Sequence, residues 1–355
     1  MAELPSFDIR QAIQAVVDGR ELTTTEATAA MDAIMTGQAT PAQIAALVTA
    51  LRIRGESVAE IAGFAAAMRR HALPVVLADD PRPVVDTCGT GGDGSGTFNI
   101  STTAAFVIAG AGVRVAKHGN RSVTSQCGSA DVLEGLGVKV DLTPEQVAES
   151  VARTGFGFMF APGFHPGFRH AGPTRREIGI RTIFNALGPL TNPAGVRHQL
   201  IGVGHPHLAR KLAEAHAALG SSHVVVVHSG DGLDEFGIAG PTQVTEYDAR
   251  TGEVRTFEVE PEGFGLDRCA TDGIRGGAVG ENVKIVLAVL SGERGPCRDV
   301  TLLNAGAGLY AADAAASIAD GIALAAESID SGRALASLQE LVAYSRELSA
   351  EPVSA

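Results

Sequence analysis

The sequence predicts an α/β protein with a small all-helical N-terminal domain and a large α/β domain, whose central, largely parallel (mixed) sheet is surrounded by helices. Three observations support this prediction. Helix-capping signals recur through the first 74 residues, strand-like and helix-like segments alternate after them, and polar or glycine-rich clusters follow several strands. We expect residues 1–76 to form the helical domain and residues 77–355 to form the α/β domain.

The N-terminal helices have clear starting residues. Asp8 caps a predicted helix that ends at Gly19, and three capping boxes, in which two side chains satisfy the free N–H groups of a helix start, begin three more helices. The boxes are Thr23-x-x-Glu26, Thr40-Pro41-x-Gln43 and Ser57-x-x-Glu60. Gly37 and Gly55 suit helix ends, and the Asp- and Pro-containing residues 78–82 mark the domain boundary.

The rest of the chain is predicted to alternate strands and helices, which favours a largely parallel sheet. Strands are predicted at residues 84–85, 113–116, 138–142, 156–160, 198–203 and 223–228. Helices are predicted at residues 104–111, 129–137 and 143–155, before Gly220, and at residues 281–291, 311–328 and 334–348. Residues 244–247 and 253–259 form a predicted antiparallel hairpin.

Residues 86–103 contain a glycine-rich loop, with five glycines in the eight residues 89–96. Glycines reach positive φ and leave backbone N–H groups open, so a loop of this kind before a helix suits phosphate or pyrophosphate. It is not a P-loop, because it contains no lysine. Gly89-x-Gly91-x-x-Gly94 matches the dinucleotide fingerprint, but the helix begins too late and no acidic residue follows at the required spacing of about 20 residues. A glycine-rich turn without a ligand is the alternative.

Two more polar clusters follow strand-like segments. Lys117-His118-Gly119-Asn120-Arg121 suits phosphate and ribose hydroxyls, and Asp234-Glu235 offers the carboxylates that Mg²⁺ favours, although each cluster also fits a solvated surface. Ligands bind beyond the carboxyl ends of parallel strands, so we expect both clusters to share a rim with the glycine-rich loop. Residues 161–197 add five arginines, which suit a carboxylate or, alternatively, a connector between domains.

Composition narrows the classes of function. The 355 residues include 28 basic and 40 acidic side chains, and the net charge of −12 argues against nucleic acid or an anionic membrane as a partner. The longest apolar run is too short to span a bilayer. The four cysteines lack the spacing of metal ligands, which indicates free thiols and a cytoplasmic location.

Taken together, these clusters resemble the signature of the anthranilate phosphoribosyltransferase family. The matching segments are Ala42-Gln43-Ile44-Ala45-Ala46, Ala50-Leu51-Arg52, Gly89-Thr90-Gly91-Gly92-Asp93, Asn99-x-Ser101-Thr102, Lys117-His118-Gly119-Asn120-Arg121, Gly128-Ser129-Ala130-Asp131, residues 179–192 and Gly232-Leu233-Asp234-Glu235-Phe236. The resemblance implies the fold shared with pyrimidine nucleoside phosphorylases, with about residues 168–192 joining the helical domain in space. It also implies a homodimer that uses Mg²⁺ to transfer phosphoribose from phosphoribosyl pyrophosphate to the anthranilate amine, in tryptophan synthesis.

The resemblance also implies a role for individual residues. Phosphoribosyl pyrophosphate would be held by Gly89, Gly92, Asp93, Thr97, Asn99, Ser101, Thr102, Lys117 and Ser129. Mg²⁺ would be served by Ser101, Asp234 and Glu235, and anthranilate would face Gly89, His118, Asn120 and Arg175. No general base is expected, because stabilising the leaving pyrophosphate can drive the reaction. Gln126 and Cys127 depart from the pattern of many relatives and are left out of the predicted site.

Two alternative functions and one assembly state are also considered. A pyrimidine nucleoside phosphorylase-like enzyme would need a free-phosphate site and a nucleobase pocket. A catalytically silent homologue that binds nucleic acid would need a strongly basic face. Apolar residues lie on more than one side of the predicted helices at residues 44–48 and 61–65, which predicts a homodimer through the N-terminal helical domain.

Overall fold

The computed structural model describes residues 7–122 and 126–350, so residues 1–6, 123–125 and 351–355 of the two predicted domains lie outside the described residues. The described chain begins with the helices α1 (Ile9–Val17), α2 (Thr24–Met35), α3 (Pro41–Arg54) and α4 (Val58–His71). The predicted residues Asp8, Thr23, Thr40 and Ser57 cap them, each as one half of a capping box. These four helix starts are therefore set by the local sequence.

A seven-stranded sheet lies at the centre of the larger part of the molecule. Its strands are β1 (Val84–Gly89), β2 (Arg114–Gly119), β3 (Phe156–Phe160), β4 (His198–Gly202), β5 (His223–Ser229), β6 (Thr242–Asp248) and β7 (Glu253–Val259). In space they lie in the order β3-β2-β1-β4-β5-β6-β7. The first five pair in parallel, and β6 and β7 extend the sheet as the predicted antiparallel hairpin. The predicted mixed, largely parallel sheet is confirmed.

The remaining helices of the described chain surround this sheet. They are α5 (Ile100–Gly110), α6 (Ser129–Gly135), α7 (Pro144–Thr154), α8 (Ala161–Phe164), α9 (Gly172–Ile178), α10 (Phe184–Leu187), α11 (Pro206–Ala218), α12 (Val279–Leu290), α13 (Pro296–Ala311), α14 (Ile318–Asp330) and α15 (Arg333–Ala350). Short 3₁₀ helices occupy Pro166–His170, Gly188–Thr191, Pro261–Phe264 and Thr271–Ile274. No helix among residues 7–122 and 126–350 is both long and apolar enough to cross a membrane.

The two faces of the sheet bury their side chains in different cores, because successive strand residues point to opposite sides. Val225 and Val227 of β5 lie in a core with α5 and α13, whereas Val224 and Val226 lie in a core with α11 and the helices α1 to α4. Phe184 and neighbouring apolar residues after α9 belong to the second core. The helical N-terminal domain and the large α/β domain are confirmed, but that core is continuous across residue 76, so the bounds of the two domains stay a prediction.

The predicted strand at residues 138–142 is wrong, because this segment pairs with no strand of the sheet. Its alternating apolar pattern has another cause. Val138, Val140 and Leu142 are buried in turn against the neighbouring helices, while the residues between them are more exposed. An extended segment can show this period of two without any backbone ladder, so the pattern alone does not distinguish the two cases.

The predicted helix at residues 311–328 exists but starts seven residues later, at Ile318. Helix α13 ends at Ala311, Asp313 has a φ of 56°, and α14 begins only after its cap residue Ser317. Helix α13 was missed because Gly306 and Gly308 interrupt its helix-forming sequence. Both glycines permit close packing: a Cβ at Gly306 would lie 2.6 Å from Ile322, and one at Gly308 would lie 2.4 Å from Ile108.

Candidate active site

The three polar clusters meet at one edge of the sheet. The glycine-rich loop follows β1, Lys117 and His118 lie near the end of β2, and Asp234-Glu235 follow β5. These strands run parallel, and β4 lies between β1 and β5, so their carboxyl ends share the same rim. The predicted rim is therefore formed by residues that are far apart in sequence.

The glycine-rich loop contacts the acidic pair directly. The N–H of Gly91 donates to Asp234 Oδ2 at 2.7 Å, and the N–H of Asp234 donates to Asp93 Oδ2 at 3.3 Å. A Cβ at Gly89 would lie 2.4 Å from Asp234 Oδ2, so a side chain there would displace the carboxylate. Gly91 and Gly92 have φ of 64° and 72°, the left-handed region in which glycine is favoured.

Asp234 and Glu235 form a half-buried negative site. Burial raises the pKa of Asp234 well above its usual range, and the charges of Asp93 and Glu235 raise it further. Burial also raises the pKa of Glu235, which the Lys117 ammonium opposes and Asp93 reinforces. A divalent cation would relieve this repulsion, so the donor set fits Mg²⁺. Within residues 7–122 and 126–350, no three His, Cys, Asp or Glu side chains form a metal cage, and Mg²⁺ commonly takes only one or two carboxylates.

Lys117 and the start of α5 lie beside this site. The Lys117 side chain is 2% exposed, and its Nζ donates to the carbonyl of Thr87 and to Ser101 Oγ, the latter at 3.3 Å. Asn99 precedes α5 without capping it, and its Oδ1, like the hydroxyl of Thr102, is buried without a hydrogen-bond partner. Buried polar atoms usually have partners, and a polar ligand at the start of α5 would supply one to each of these two.

The other predicted contacts to phosphoribosyl pyrophosphate already have protein partners. Thr97 forms an isolated bridge with Arg275, and its hydroxyl lies 3.4 Å from Ser95 Oγ. Ser129, at the start of α6, donates from its hydroxyl to the carbonyl of Asn120 at 3.1 Å. These contacts fix the side chains at the rim before any ligand is considered.

The residues predicted to face anthranilate lie in two groups. His118 Nδ1 lies 3.2 Å from the carbonyl of Gly188, and its Nε2 lies 3.2 Å from Nε2 of His165. Burial lowers the pKa of His118 to about 3 and that of His165 to about 4, so both rings are neutral near pH 7. Asn120 is exposed at the end of the same strand, where its side chain accepts from the N–H of Arg121.

Arg175 lies on α9. Its guanidinium is 5.9 Å from the ring centre of Phe168, and no hydrogen bond from it is found to a described residue. Burial lowers the pKa of Arg175, and the charge of Arg181 lowers it further. No hydrogen bond among the described residues joins Arg175 to Gly89, His118 or Asn120, and the shared role of these four residues stays a prediction.

Comparison with known proteins shows the family to which this chain is related. Residues 10–72 match the family model described as the helical bundle domain of a glycosyl transferase family, and residues 81–335 match the α/β domain of that family. The anthranilate phosphoribosyltransferase of Thermomicrobium roseum is 58% identical over 341 residues, which covers 96% of this chain and 98% of the relative. The chain belongs to the anthranilate phosphoribosyltransferase family.

Solved structures of anthranilate phosphoribosyltransferases share the fold. The crystal structure from Thermus thermophilus matches with a TM-score of 0.88 at 44% identity, covering 94% of this chain and 99% of that one. The enzyme from Saccharomyces cerevisiae in complex with phosphoribosyl pyrophosphate and Mg matches with a TM-score of 0.86 at 30% identity, covering 96% and 98%. The family relationship therefore extends over nearly the whole chain.

The sequence of this member of the anthranilate phosphoribosyltransferase family did not lead us to Asp86, His165 or Arg181. Asp86 is fully buried in β1, where it accepts from the N–H of His118 at 3.2 Å and from Asn192 Nδ2 at 2.8 Å. It therefore joins two strands to the chain that follows α10. The sequence offered one indication for Asp86, which is its position at the start of the glycine-rich motif. His165 and Arg181 reach the site only through tertiary contacts.

Proposed function

We propose that this protein transfers 5-phosphoribose from phosphoribosyl pyrophosphate to the amine of anthranilate, giving N-(5-phosphoribosyl)anthranilate and pyrophosphate, in tryptophan biosynthesis. The observation that carries this proposal is the contact between the glycine-rich loop and Asp234, beside Lys117 and two unpartnered buried polar atoms. That combination suits a sugar diphosphate with a divalent cation. The names of the close relatives supply the acceptor, anthranilate.

The diphosphate and ribose would lie along the loop and the start of α5. The proposed contacts are Gly89, Gly92, Asp93, Thr97, Asn99, Ser101, Thr102, Lys117 and Ser129. The N–H groups of the loop and the first turn of α5 donate to phosphate oxygens, and Lys117 adds a positive charge. Asn99 Oδ1 and the Thr102 hydroxyl are buried side-chain atoms of this set without a protein partner. A bound substrate would give them one.

Ser101, Asp234 and Glu235 would hold Mg²⁺ together with the substrate. When bound, the cation supplies positive charge where pyrophosphate departs. The Lys117 ammonium acts in the same direction, since negative charge builds on the leaving group as the anomeric C–O bond breaks. Asp93 contributes a further carboxylate beside Asp234, through the 3.3 Å hydrogen bond between them.

Gly89, His118, Asn120 and Arg175 would face anthranilate. Arg175 has a planar fork suited to the carboxylate and no competing hydrogen bond among the described residues. His118 is neutral and fixed by the carbonyl of Gly188, so it contacts the substrate without adding charge. The amine nitrogen bonds to the anomeric carbon as the C–O bond to pyrophosphate breaks, and the amine then releases one proton to solvent. No side chain is assigned as a general base.

Three features of organisation belong to the same proposal. Residues 1–76, joined by about residues 168–192, form one domain, and residues 77–355 form the domain that binds phosphoribosyl pyrophosphate. The packing of Phe184 and Leu187 with the N-terminal helices supports this grouping. Two chains associate through the helical domain, and the protein acts in the cytoplasm.

The fluorescence of anthranilate provides a direct test. Mixing the protein with phosphoribosyl pyrophosphate, Mg²⁺ and anthranilate is expected to lower the anthranilate signal, and omission of any one component is expected to abolish the change. A pyrimidine nucleoside and inorganic phosphate, supplied instead, are expected to yield no free base. Release of the free base without loss of anthranilate would contradict the proposed function.

A further inference from the structure

Arg181 reaches from the helical side of the molecule to the glycine-rich loop. It lies between α9 and α10, where Gly179 has a φ of 67° and the N–H of Thr182 donates to Asn185 Oδ1 at 3.0 Å. The following Ile183 is 2% exposed and belongs to the core of the N-terminal helices. The backbone of Arg181 is thus anchored to that core, while its side chain extends to the rim of the sheet.

The Arg181 guanidinium packs against main-chain atoms of Gly91 and Gly92 in the loop. Arg181 Nη1 donates to the carbonyl of Gly91 at 2.6 Å. A Cβ at Gly92 would lie 1.9 Å from the same nitrogen, so a side chain at Gly92 would displace the guanidinium. The φ of 72° is the reason that residue 92 is glycine, and the absence of a side chain there leaves room for the guanidinium.

Gly91 is therefore held from both sides. Its N–H donates to Asp234 at 2.7 Å, and its carbonyl accepts from Arg181. The carbonyl of Gly91 and the N–H of Gly92 belong to one planar trans peptide and point in opposite directions. The hydrogen bond from Arg181 consequently sets the direction of the Gly92 N–H, which points away from the guanidinium.

The charge of Arg181 has no local acidic partner. Among residues 7–122 and 126–350 it forms no salt bridge. Burial lowers the pKa of Arg175 and of His205, and the nearby charge of Arg181 lowers both pKa values further. A surface arginine placed to stabilise the fold would more commonly pair with a carboxylate. Here the main-chain carbonyl of Gly91 is its hydrogen-bond acceptor.

The geometry points to Arg181 as a positioning residue that orients the Gly91–Gly92 peptide so that the Gly92 N–H is presented to the diphosphate of phosphoribosyl pyrophosphate. This role rests on the proposed function and deepens it, because it links the segment that carries Arg175 to the diphosphate loop. Arg181 acts through the loop, and it need not touch either substrate. The loop is thus preorganised before phosphoribosyl pyrophosphate arrives.

The test compares Arg181→Met, which keeps the length of the side chain but removes its donors, with Arg181→Lys, which keeps one charged donor. Arg176→Met is the matched control, because Arg176 is exposed and lies on the neighbouring helix α9. Hydrogen exchange of the peptide that covers residues 89–98 is measured in the ligand-free protein. The Michaelis constants for both substrates, kcat and the melting temperature are then measured for each variant.

We expect faster exchange at residues 89–98 in Arg181→Met alone, together with a rise of about tenfold in KM for phosphoribosyl pyrophosphate, the effect of one charge-assisted hydrogen bond. The KM for anthranilate and the melting temperature should stay close to those of the control, and Arg181→Lys should recover part of the loss. Unchanged exchange in the free protein would overturn the positioning role, even if KM rises, because a direct substrate contact leaves the free loop unaffected. Loss of all transfer by the unsubstituted protein would instead contradict the proposed function.

Discussion

At the scale of single residues, the surroundings of Asp234 and Glu235 imply that losing a carboxylate affects cation binding and folding stability differently. Both carboxylates are half-buried beside Asp93, and their raised pKa values show that the folded protein gains no stability from holding them ionised. Removing one charge therefore harms cation binding but does not weaken the fold. The effect on activity and the effect on stability should have opposite signs.

We predict that Glu235→Gln lowers turnover at least about 100-fold, because the cation and the charge on the leaving group lose a ligand. The melting temperature of the free variant should equal or exceed that of the unsubstituted protein, since the repulsion of Glu235 by Asp93 and of Asp234 by Glu235 is relieved. Steady-state kinetics at ordinary Mg²⁺ and thermal melting without ligands check both parts. Normal turnover in the variant would show that Glu235 is not a metal ligand.

A substitution at Arg175 is expected to affect the use of anthranilate but not that of phosphoribosyl pyrophosphate. A charge-assisted hydrogen bond contributes about 1.5–3 kcal/mol, so Arg175→Ala is expected to weaken the use of anthranilate by about ten- to 150-fold. The KM for phosphoribosyl pyrophosphate should change little, because the loop and Lys117 meet its charges. Kinetics with each substrate varied in turn measure this, with the exposed Arg176→Ala as the control. Equal damage to both Michaelis constants, or a large fall in melting temperature, would instead assign Arg175 to holding the fold together.

At the scale of elements, a buried charge cluster ties the hairpin β6–β7 to β5 and α13. His223 is 0% exposed at the start of β5, with Nδ1 2.8 Å from Asp313 and Nε2 2.9 Å from Glu246 on β6. Tyr310 donates to Glu246 at 2.6 Å, and Arg255 on β7 donates to it at 2.7 Å. An imidazole ring with a carboxylate at each nitrogen is favoured in its protonated form.

This cluster predicts a stability that depends on pH. Burial would lower the pKa of His223, but its hydrogen bonds to Glu246 and Asp313 outweigh burial and raise it above 6.5. The stabilisation of the fold by protonated His223 is therefore complete below about pH 6.5 and is lost as pH rises through the folded-state pKa. A pKa raised by one pH unit corresponds to about 1.4 kcal/mol of stability. Glu246 stays ionised across this range, because hydrogen bonds from His223, Arg255 and Tyr310 outweigh burial and lower its pKa to about 2.

Urea unfolding of the unsubstituted protein and of His223→Gln, between pH 6 and pH 9, measures this effect. The difference in the free energy of unfolding between the two proteins should be largest at the acidic end and should shrink as pH rises. His207→Gln is the control, because His207 is exposed on α11 and contacts no carboxylate among the described residues. A difference that stays constant across the range would show that His223 is neutral in the folded protein.

At the scale of the whole molecule, the structure changes the argument for a dimer. The second apolar face of α4, which was part of that prediction, packs within the chain against α2 and α11. It therefore needs no partner subunit. The contacting helices α1 and α3 do leave two apolar side chains in solvent, Val17 at 64% exposure and Ile53 at 83%.

We predict that the dimer uses this face of α1 and α3. Light scattering at low micromolar concentration should give the mass of two chains, and Ile53→Glu should give the mass of one with unchanged circular dichroism. Leu324→Gln, on α14, serves as the control for loss of an exposed apolar side chain and should leave the dimer intact. A single-chain mass for the unsubstituted protein would refute the dimer.

The sequence by itself determined the features whose causes are local. Asp8, Thr23, Thr40 and Ser57 predicted their helix starts because a cap involves only the next three residues. The glycine-rich loop and the Asp234-Glu235 pair were recognisable because each is a short contiguous motif. The largely parallel sheet followed from the alternation of strands and helices, although residues 138–142 imitated a strand through burial alone.

Only the tertiary structure decided which distant residues meet. Gly306 and Gly308 weakened the signal for α13, yet they permit its close packing on Ile322 and Ile108. Arg181 lies 90 residues from Gly91, and His165 lies 47 residues from His118, so no local pattern indicates either contact. The physical reason is that burial and hydrogen bonding between such residues depend on how the chain brings them together, whereas caps and turns depend on their immediate neighbours.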